Sequence, residues 1–210
     1  MMLRIWKSLA VLAVLLSFSS VAKEFVEGKH YYQVTGEVSA SPTITEYFSF
    51  YCPACYRQEP FMKHITSFLP ESQQISKVHV TGMPGRDIAS EERLTQALAA
   101  AKLLKVEQAY VKEVFNQIHV KRQNTFTRAD VESLFAKAGI DSKQFNKAFN
   151  SFAAKGEAKQ MAKAVQKIRE QGYSAVPTLV INNIYTPNIK SITSMQEYEA
   201  LVKYLLAKTG

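Results

Sequence analysis

The sequence is poor in cysteine and in metal-binding patterns. It has two cysteines, Cys52 and Cys55, among 210 residues, with no second Cys-x-x-Cys pair and no His-x-x-x-His spacing. A structural zinc site generally takes four ligands, from two such pairs or from one pair and two close histidines. Two cysteines also form at most one disulfide. The sequence therefore disfavours a metal site, and it excludes a fold held together by several disulfides.

Long apolar runs are also absent, since no stretch approaches the roughly 20 residues of a membrane-spanning helix. The longest, residues 9–16, follows Arg4 and Lys7 and precedes the small residues Ser20-Val21-Ala22. This order is typical of a secretory signal peptide. We expect residues 1–22 to be removed after Ala22; an uncleaved N-terminal anchor is the alternative. Export places both thiols in an oxidising compartment.

Acidic residues are fewer than basic ones, 18 against 26, which gives a net charge of +8 that falls to +6 when Arg4 and Lys7 leave. A basic balance can indicate nucleic-acid binding. Here, however, the lysines are interspersed with acids along helical patterns, as in residues 157–170. We interpret them as a solvated surface and expect no nucleic-acid partner, while weak attraction to an anionic membrane surface stays open.

Two kinds of pattern alternate along the chain, and no internal repeat is visible. Strand patterns occupy residues 30–34, 43–51, 75–81 and 178–182. Helical patterns fill the region between the last two, with breaks that predict helices at 90–105, 106–117, 127–139, 141–154 and 155–171, and a final helix at 194–208. Phe145, Phe149 and Phe152 share helical spacing. The order predicts an α/β domain with an inserted helical block.

The two cysteines stand at the junction of a strand and a helix. Pro53 suits the first turn of a helix, where its missing N–H has no partner to lose. Unpaired N–H groups and the helix dipole then face the sulfur of Cys52 and favour its thiolate. Cys55, one turn further on, can attack a mixed disulfide on Cys52. An inert disulfide is the alternative, but so short a loop would stabilise the fold little.

Two further positions bear on this chemistry. Val176-Pro177 precedes a strand; a cis bond there would turn the backbone of Val176 towards the cysteines, and an ordinary trans proline is equally compatible with the position. Glu46 alternates with apolar residues, which predicts a buried carboxylate that could accept the proton of Cys55 and pair with Lys77. The alternative is an edge-strand acid that points into water.

At these residues the sequence resembles the DsbA family of periplasmic thiol:disulfide oxidoreductases, over nearly all of the mature chain. The matching residues are Glu46-Tyr47-Phe48-Ser49-Phe50-Tyr51-Cys52-Pro53, Cys55-Tyr56, Lys77, His79-Val80, Val176-Pro177 and the C-terminal helix. The resemblance implies a thioredoxin-like fold, formed by residues 23–83 and 165–210, with an inserted all-helical domain at 84–164. It also implies a nucleophilic Cys52, a resolving Cys55, a cis-proline loop at Val176-Pro177 and a buried Glu46–Lys77 charge pair.

The function implied by the resemblance is oxidation of reduced, newly exported proteins in the periplasm. The redox group is the Cys52–Cys55 disulfide itself, without a separate cofactor or metal. A membrane quinone reductase of the DsbB type is the expected reoxidising partner, and a monomer is the expected state. A reductase or isomerase, or a non-catalytic binder of unfolded chains, is the alternative.

The sequence departs from the best-known family members at Ala54, where they carry histidine. Histidine beside the thiolate stabilises the reduced form and makes the disulfide a stronger oxidant. Alanine offers neither charge nor a side-chain donor. We therefore expect a less oxidising disulfide and a less acidic Cys52 than in those members.

Overall fold

A five-stranded mixed sheet forms the centre of the protein. The computed structural model describes residues 24–71 and 73–209, so the expected signal peptide lies outside the described residues. The strands are β1 (Tyr31–Gln33), β2 (Ile44–Phe48), β3 (Ser76–His79), β4 (Thr178–Ile181) and β5 (Tyr185–Pro187). Their spatial order is β1-β5-β4-β2-β3, and only the β2–β3 pair is parallel. Strand β2, which lies between β4 and β3, therefore has an antiparallel and a parallel neighbour.

Seven α-helices accompany the sheet in the described part of the chain. They are α1 (Pro53–Thr66), α2 (Ile88–Leu103), α3 (Glu107–Phe115), α4 (Arg128–Lys137), α5 (Ser142–Phe149), α6 (Phe152–Glu170) and α7 (Met195–Leu206). A π-helical turn, Asn116–Val120, continues α3, and a short 3-10 turn, Ile189–Ser191, precedes α7. Helices α2 to α6 lie between β3 and β4 in the chain, as the sequence predicts.

The predicted helix at 141–154 is wrong, because the chain bends between two helices there. Helix α5 ends at Phe149, and Ser151 caps a new helix by accepting the N–H of Ala154 at 3.0 Å. The bend separates aromatic residues that the spacing had grouped together. Phe145 and Phe149 are buried, whereas Phe152 is 93% exposed. Sequence spacing missed the break because a serine inside a helical pattern is only a weak stop signal.

Strand β5 and the π-helical turn are among the elements that the sequence patterns did not predict. Strand β5 has three residues, too few for alternation to show, and follows a tight turn in which Asn182 and Asn183 both have positive φ. Asparagine tolerates that left-handed region better than most residues do. The π-helical turn at the end of α3 has no sequence signature of its own.

The hydrophobic core extends from the sheet into the helical block without interruption. Its largest cluster contains Phe48 and Phe50 from the sheet side together with fully buried residues of the helices, among them Leu98, Tyr110 and Phe135. A second cluster packs α1 and α7 on the sheet. None of the helices in residues 24–71 and 73–209 is long and apolar enough to cross a membrane. The division at 84–164 stays a prediction; its second boundary falls within α6.

Candidate functional site

The turn between β2 and α1 brings Cys52 to the start of the helix. The N–H of Cys52 donates to the carbonyl of Ser49 at 3.1 Å, which closes the turn. Cys52 has extended backbone angles and is the N-cap of α1, and Pro53 occupies the first turn as predicted. The N–H of Cys55 donates to Sγ of Cys52 at 3.3 Å. The sulfur therefore occupies the position where a helix presents its unpaired donors.

The environment of Cys52 favours its thiolate. A hydrogen bond from the Cys55 thiol lowers the pKa of the Cys52 thiol, burial opposes this, and the N–H groups of Cys55 and Ala54 and the charge of Arg57 lower it further, to about 6. A thiol with that pKa is mostly ionised at neutral pH. This is the chemistry that the strand-to-helix position of Cys52 predicts.

Cys55 has the opposite character. It is fully buried, and the pKa of its thiol is raised, first by its hydrogen bond to Cys52 and then by burial and the negative charge of Glu46. Both cysteines are free thiols in this structure. One sulfur of the pair is thus poised as an anion, while the other holds its proton.

The loop before β4 faces the nucleophile. The Val176-Pro177 bond is cis, which the sequence position left open. Sγ of Cys52 lies 3.4 Å from the carbonyl oxygen of Val176. Residues 52 and 176, far apart in the chain, therefore meet through a side chain and a backbone group, and the backbone of Val176 borders the site.

Beneath the cysteines lies a buried charge cluster. Glu46 is fully buried on the inward face of β2, as its alternation predicts, and Lys77 is its direct neighbour in the register of β3. Nζ of Lys77 lies 2.5 Å from the Glu46 carboxylate and 2.7 Å from that of Glu59 on α1. The second oxygen of Glu46 is buried without a hydrogen-bond partner among the described residues.

The three charges are coupled. Burial raises the pKa of Glu46, and the Lys77 ammonium only partly offsets this. Burial lowers the pKa of Lys77, but the charges of Glu46 and Glu59 outweigh it, so the net direction is upwards. Glu46 therefore binds a proton more readily than an ordinary glutamate, while Lys77 stays charged.

Sequence reasoning missed Glu59 and His119. Glu59 was within reach, because it follows Cys55 by four residues and so shares its helical face. His119 had no local signal, since it comes from the π-helical turn. Its imidazole stacks on Tyr56, with ring centroids 4.8 Å apart and planes 4° from parallel, and Nε2 donates to the carbonyl of Phe50 at 2.8 Å.

The site also has a half-buried Ala54 between the cysteines, so the side chain at this position makes contact with the site but supplies no polar group. Among residues 24–71 and 73–209, no group of three or more His, Cys, Asp or Glu side chains could hold a metal ion. The redox-capable atoms of the described site are the two sulfurs.

The chain is similar to proteins described as thioredoxin and as DsbA. A family model described as thioredoxin matches residues 29–204. The thiol:disulfide interchange protein DsbA of Escherichia coli O6:H1 is 33% identical over 216 residues, covering 99% of this chain and 100% of the relative. DsbA of Salmonella typhimurium is 33% identical over 218 residues, with 99% and 100% covered.

Solved structures agree with the sequence relatives. A Proteus mirabilis DsbA variant, in complex with a non-covalently bound peptide, has a TM-score of 0.75 and 26% identity, over 89% of this chain and 100% of that one. Klebsiella pneumoniae DsbA gives 0.74 and 27%, over 89% and 100%. The thioredoxin-like α/β fold expected from the sequence is therefore confirmed.

Proposed function

This chain belongs to the DsbA family of thiol:disulfide interchange proteins, and we propose that it introduces disulfides into newly exported proteins through Cys52 and Cys55. The resemblance seen in the sequence is thereby confirmed. The chain is a protein disulfide oxidoreductase whose redox group is its own cysteine pair, without a further cofactor. The observation that carries the proposed direction is the N-cap position of Cys52, which stabilises a thiolate leaving group.

The reaction proceeds by two exchanges. A substrate thiolate attacks Sγ of Cys52 in the oxidised pair, the Cys52–Cys55 bond breaks, and its electron pair passes to Cys55, which takes up a proton. A second substrate thiolate attacks the substrate sulfur of the mixed disulfide, and Cys52 leaves as a thiolate. Two substrate thiols become one disulfide, while the protein gains a Cys52 thiolate, a Cys55 thiol and two electrons.

Helix α1 favours the second exchange over its reverse. A low pKa makes Cys52 a good leaving group, and the N–H of Cys55 at 3.3 Å supports the developing negative charge. Stabilising the reduced thiolate favours reduction of the protein disulfide, and so favours oxidation of the partner. A reductase would need the reverse balance.

Glu46 is the proposed proton acceptor for Cys55. Reoxidation, and resolution of a mixed disulfide, both require Cys55 to lose its proton in a buried place. Glu46 is buried nearby, has a raised pKa and keeps one oxygen without a hydrogen-bond partner among the described residues. The ammonium of Lys77 stabilises the ionised form of Glu46, which is the form that can accept a proton, and it also pairs with the half-buried Glu59.

Val176 and Pro177 form the proposed contact for the substrate backbone. The carbonyl of Val176 lies beside the nucleophile, at 3.4 Å from Sγ of Cys52. An extended substrate segment that brings its sulfur to Cys52 passes this backbone, and can pair with it as a strand pairs with a sheet edge.

The proposed setting follows from the same function. Expected partners are reduced, unfolded exported proteins in the periplasm, with a DsbB-type membrane quinone reductase to restore the disulfide. The expected signal peptide and the relatedness to DsbA proteins support this assignment. We propose that the protein acts as a monomer, without a nucleic-acid partner.

Equilibration of the mature Cys52–Cys55 pair with glutathione buffers tests the proposal. We expect the pair to be reduced easily, as an oxidase requires; strong resistance to reduction would instead assign a reductant's role. A variant with both cysteines changed to serine is the control. Retention of activity towards reduced, unfolded proteins in that variant would show a non-catalytic binder and overturn the proposal.

A further inference from the structure

Three arginines from three separate segments lie near the cysteine pair. Arg57 lies on α1 just after Tyr56, Arg86 lies in the loop before α2, and Arg122 follows the π-helical turn. All three are exposed. We call these residues the arginine rim. Because they come from the sheet-side helix and from the helical block, only the folded chain assembles them.

The stacked rings of His119 and Tyr56 lie close to the residues of the arginine rim. Burial lowers the pKa of His119, the bond to Phe50 opposes this, and the charges of Arg122, Arg86 and Arg57 lower it further. The imidazole is therefore neutral at neutral pH and adds no charge of its own. Arg57 follows Tyr56 directly and Arg122 follows His119 by three residues, so the stack of the two rings brings both arginines to one part of the surface.

The rim adjoins the nucleophile directly. The charge of Arg57 acts on Cys52. The guanidinium of Arg86 lies over the ring of Tyr51, the residue before Cys52, at 4.9 Å from its centroid. Nη1 of Arg86 donates to the side-chain oxygen of Asn124 at 2.8 Å. This ring and this amide fix the direction in which the remaining donors of Arg86 point.

The loop that carries Arg86 is itself anchored. The buried carboxylate of Glu91 accepts the N–H groups of Gly82, at 2.7 Å, and of Met83, at 3.2 Å. Asp87 caps α2 by accepting the N–H of Ser90 at 2.9 Å. Glu91 and Asp87 thus bond to backbone donors, and neither forms an ion pair with the exposed Arg86.

The rim has no acidic partner within the protein. Among residues 24–71 and 73–209, no carboxylate forms an ion pair with Arg57, Arg86 or Arg122, although lysines elsewhere do form such pairs. A guanidinium presents several donors in a planar fork that matches a carboxylate. Three such groups without an acidic partner among the described residues complement a ligand that carries acidic side chains.

We propose that the arginine rim is a specificity surface for acidic substrates, which selects protein segments whose cysteine is flanked by aspartate or glutamate. The inference rests on the proposed function, because the sulfur that attacks Cys52 brings its flanking residues against the rim. An anionic membrane attracts basic residues over a broad face, whereas the charges of these three arginines all act on one ring beside the thiol. An acidic peptide therefore fits better than a lipid surface.

Two single-cysteine peptides that differ only in Asp or Asn on both sides of the cysteine test the proposal. The oxidised mature protein is mixed with each, quenched with acid, and scored by mass for both the mixed disulfide and the disulfide-linked peptide dimer. Each rate is divided by the rate of the same peptide with bis(2-hydroxyethyl) disulfide, which corrects for thiol acidity. The mature chain has no tryptophan, since Trp6 lies in the expected signal peptide, so mass replaces fluorescence.

We expect the corrected Asp-to-Asn rate ratio to be on the order of 10 at low ionic strength, within the usual range of electrostatic steering. It should fall towards one in 1 M salt, where the Debye length is about 3 Å. The Arg86→Gln/Arg122→Gln variant should lose most of the preference and leaves Arg57 in place beside Cys52. The matched control, Lys143→Gln/Lys147→Gln, removes the same amount of charge from exposed positions on α5. This variant should retain the preference for the Asp peptide.

The possible failures are distinct. If both peptides are oxidised with a corrected Asp-to-Asn rate ratio near one, the proposal that the arginine rim selects acidic substrates is overturned. The proposed function is unaffected by that result. Failure to oxidise either peptide overturns the proposed function, and the rim with it. A preference that survives in the arginine variant places the selectivity elsewhere. Arginine-dependent sedimentation with anionic vesicles, together with a ratio near one, assigns the surface to membranes and overturns the peptide proposal.

Discussion

The ammonium of Lys77 lies 2.5 Å from the carboxylate of Glu46, and the lysine is 13% exposed while the glutamate is fully buried. Burying this charge pair costs desolvation energy, and the attraction between the two charges repays that cost only in part. Its place below Cys55 supplies a reason to retain it, because a buried thiol cannot release its proton directly to water.

Replacement of Glu46 by glutamine should slow the attack of Cys55 on a mixed disulfide. Glutamine keeps the shape of the side chain but accepts no proton, so we expect the resolving step to be slower by about tenfold or more. Rapid-quench measurement of mixed-disulfide decay tests this. Glu59→Gln, which also removes a Lys77 partner but on the more exposed side, is the control. Equal effects of the two variants would show that only the charge balance of Lys77 matters.

The stability of the reduced protein should depend on pH through Cys52. Its pKa in the folded state is lowered to about 6, against about 8.5 in an unfolded chain. Ionisation of Cys52 therefore stabilises the fold above about pH 8.5, and this contribution is lost as the pH falls through about 6. Urea unfolding between about pH 8 and pH 5 measures it. A Cys52→Ser variant with the same pH dependence would contradict the assignment.

Histidine in place of Ala54 should make the disulfide more oxidising. The imidazole adds a donor and a partial positive charge next to the Cys52 sulfur, which stabilises the reduced form. We expect the equilibrium with glutathione to shift by about tenfold towards the dithiol. Ala54→Phe provides bulk without the donor and should shift it much less. Equal shifts in both variants would attribute the effect to packing at residue 54.

Two phenylalanines should differ sharply in their contribution to stability. Phe50 is fully buried in the cluster shared by the sheet and the helices, so Phe50→Ala should lower the free energy of unfolding by about 3–5 kcal/mol. Phe152 is 93% exposed, so Phe152→Ala should stay within about 0.5 kcal/mol. Chemical denaturation of both variants compares them directly. A large loss for Phe152→Ala would mean that this side chain packs in solution.

The sequence predicts the parts of this protein that depend on local pattern. Alternation along β2 correctly predicts a buried Glu46, and the order strand, Cys52, Pro53 correctly predicts a cysteine at a helix N-terminus. The α/β order follows from the change in period between the strands and the helical block.

What the sequence does not predict is set by packing between distant segments. The contact between Cys52 and the carbonyl of Val176 spans 124 positions in the chain, and the family resemblance implied it where the local pattern did not. His119 reaches Phe50 and Tyr56 only because a π-helical turn ends α3 beside them. Side-chain periodicity describes which face of an element is apolar, but it does not say which other element covers that face.

The continuity of the core makes the inserted helices inseparable from the redox centre. Cys52 and Cys55 belong to the same cluster as Phe135 and Phe145 of the helical block. Excision of residues 84–164 would remove the helical side of the apolar cluster that contains both thiols. It would also expose the rings of Phe48 and Phe50 to water. The insertion is therefore not a detachable module: trimming the chain to a minimal thioredoxin core would keep the groups of α1 that make Cys52 acidic, but would remove much of the apolar cluster in which both thiols are buried.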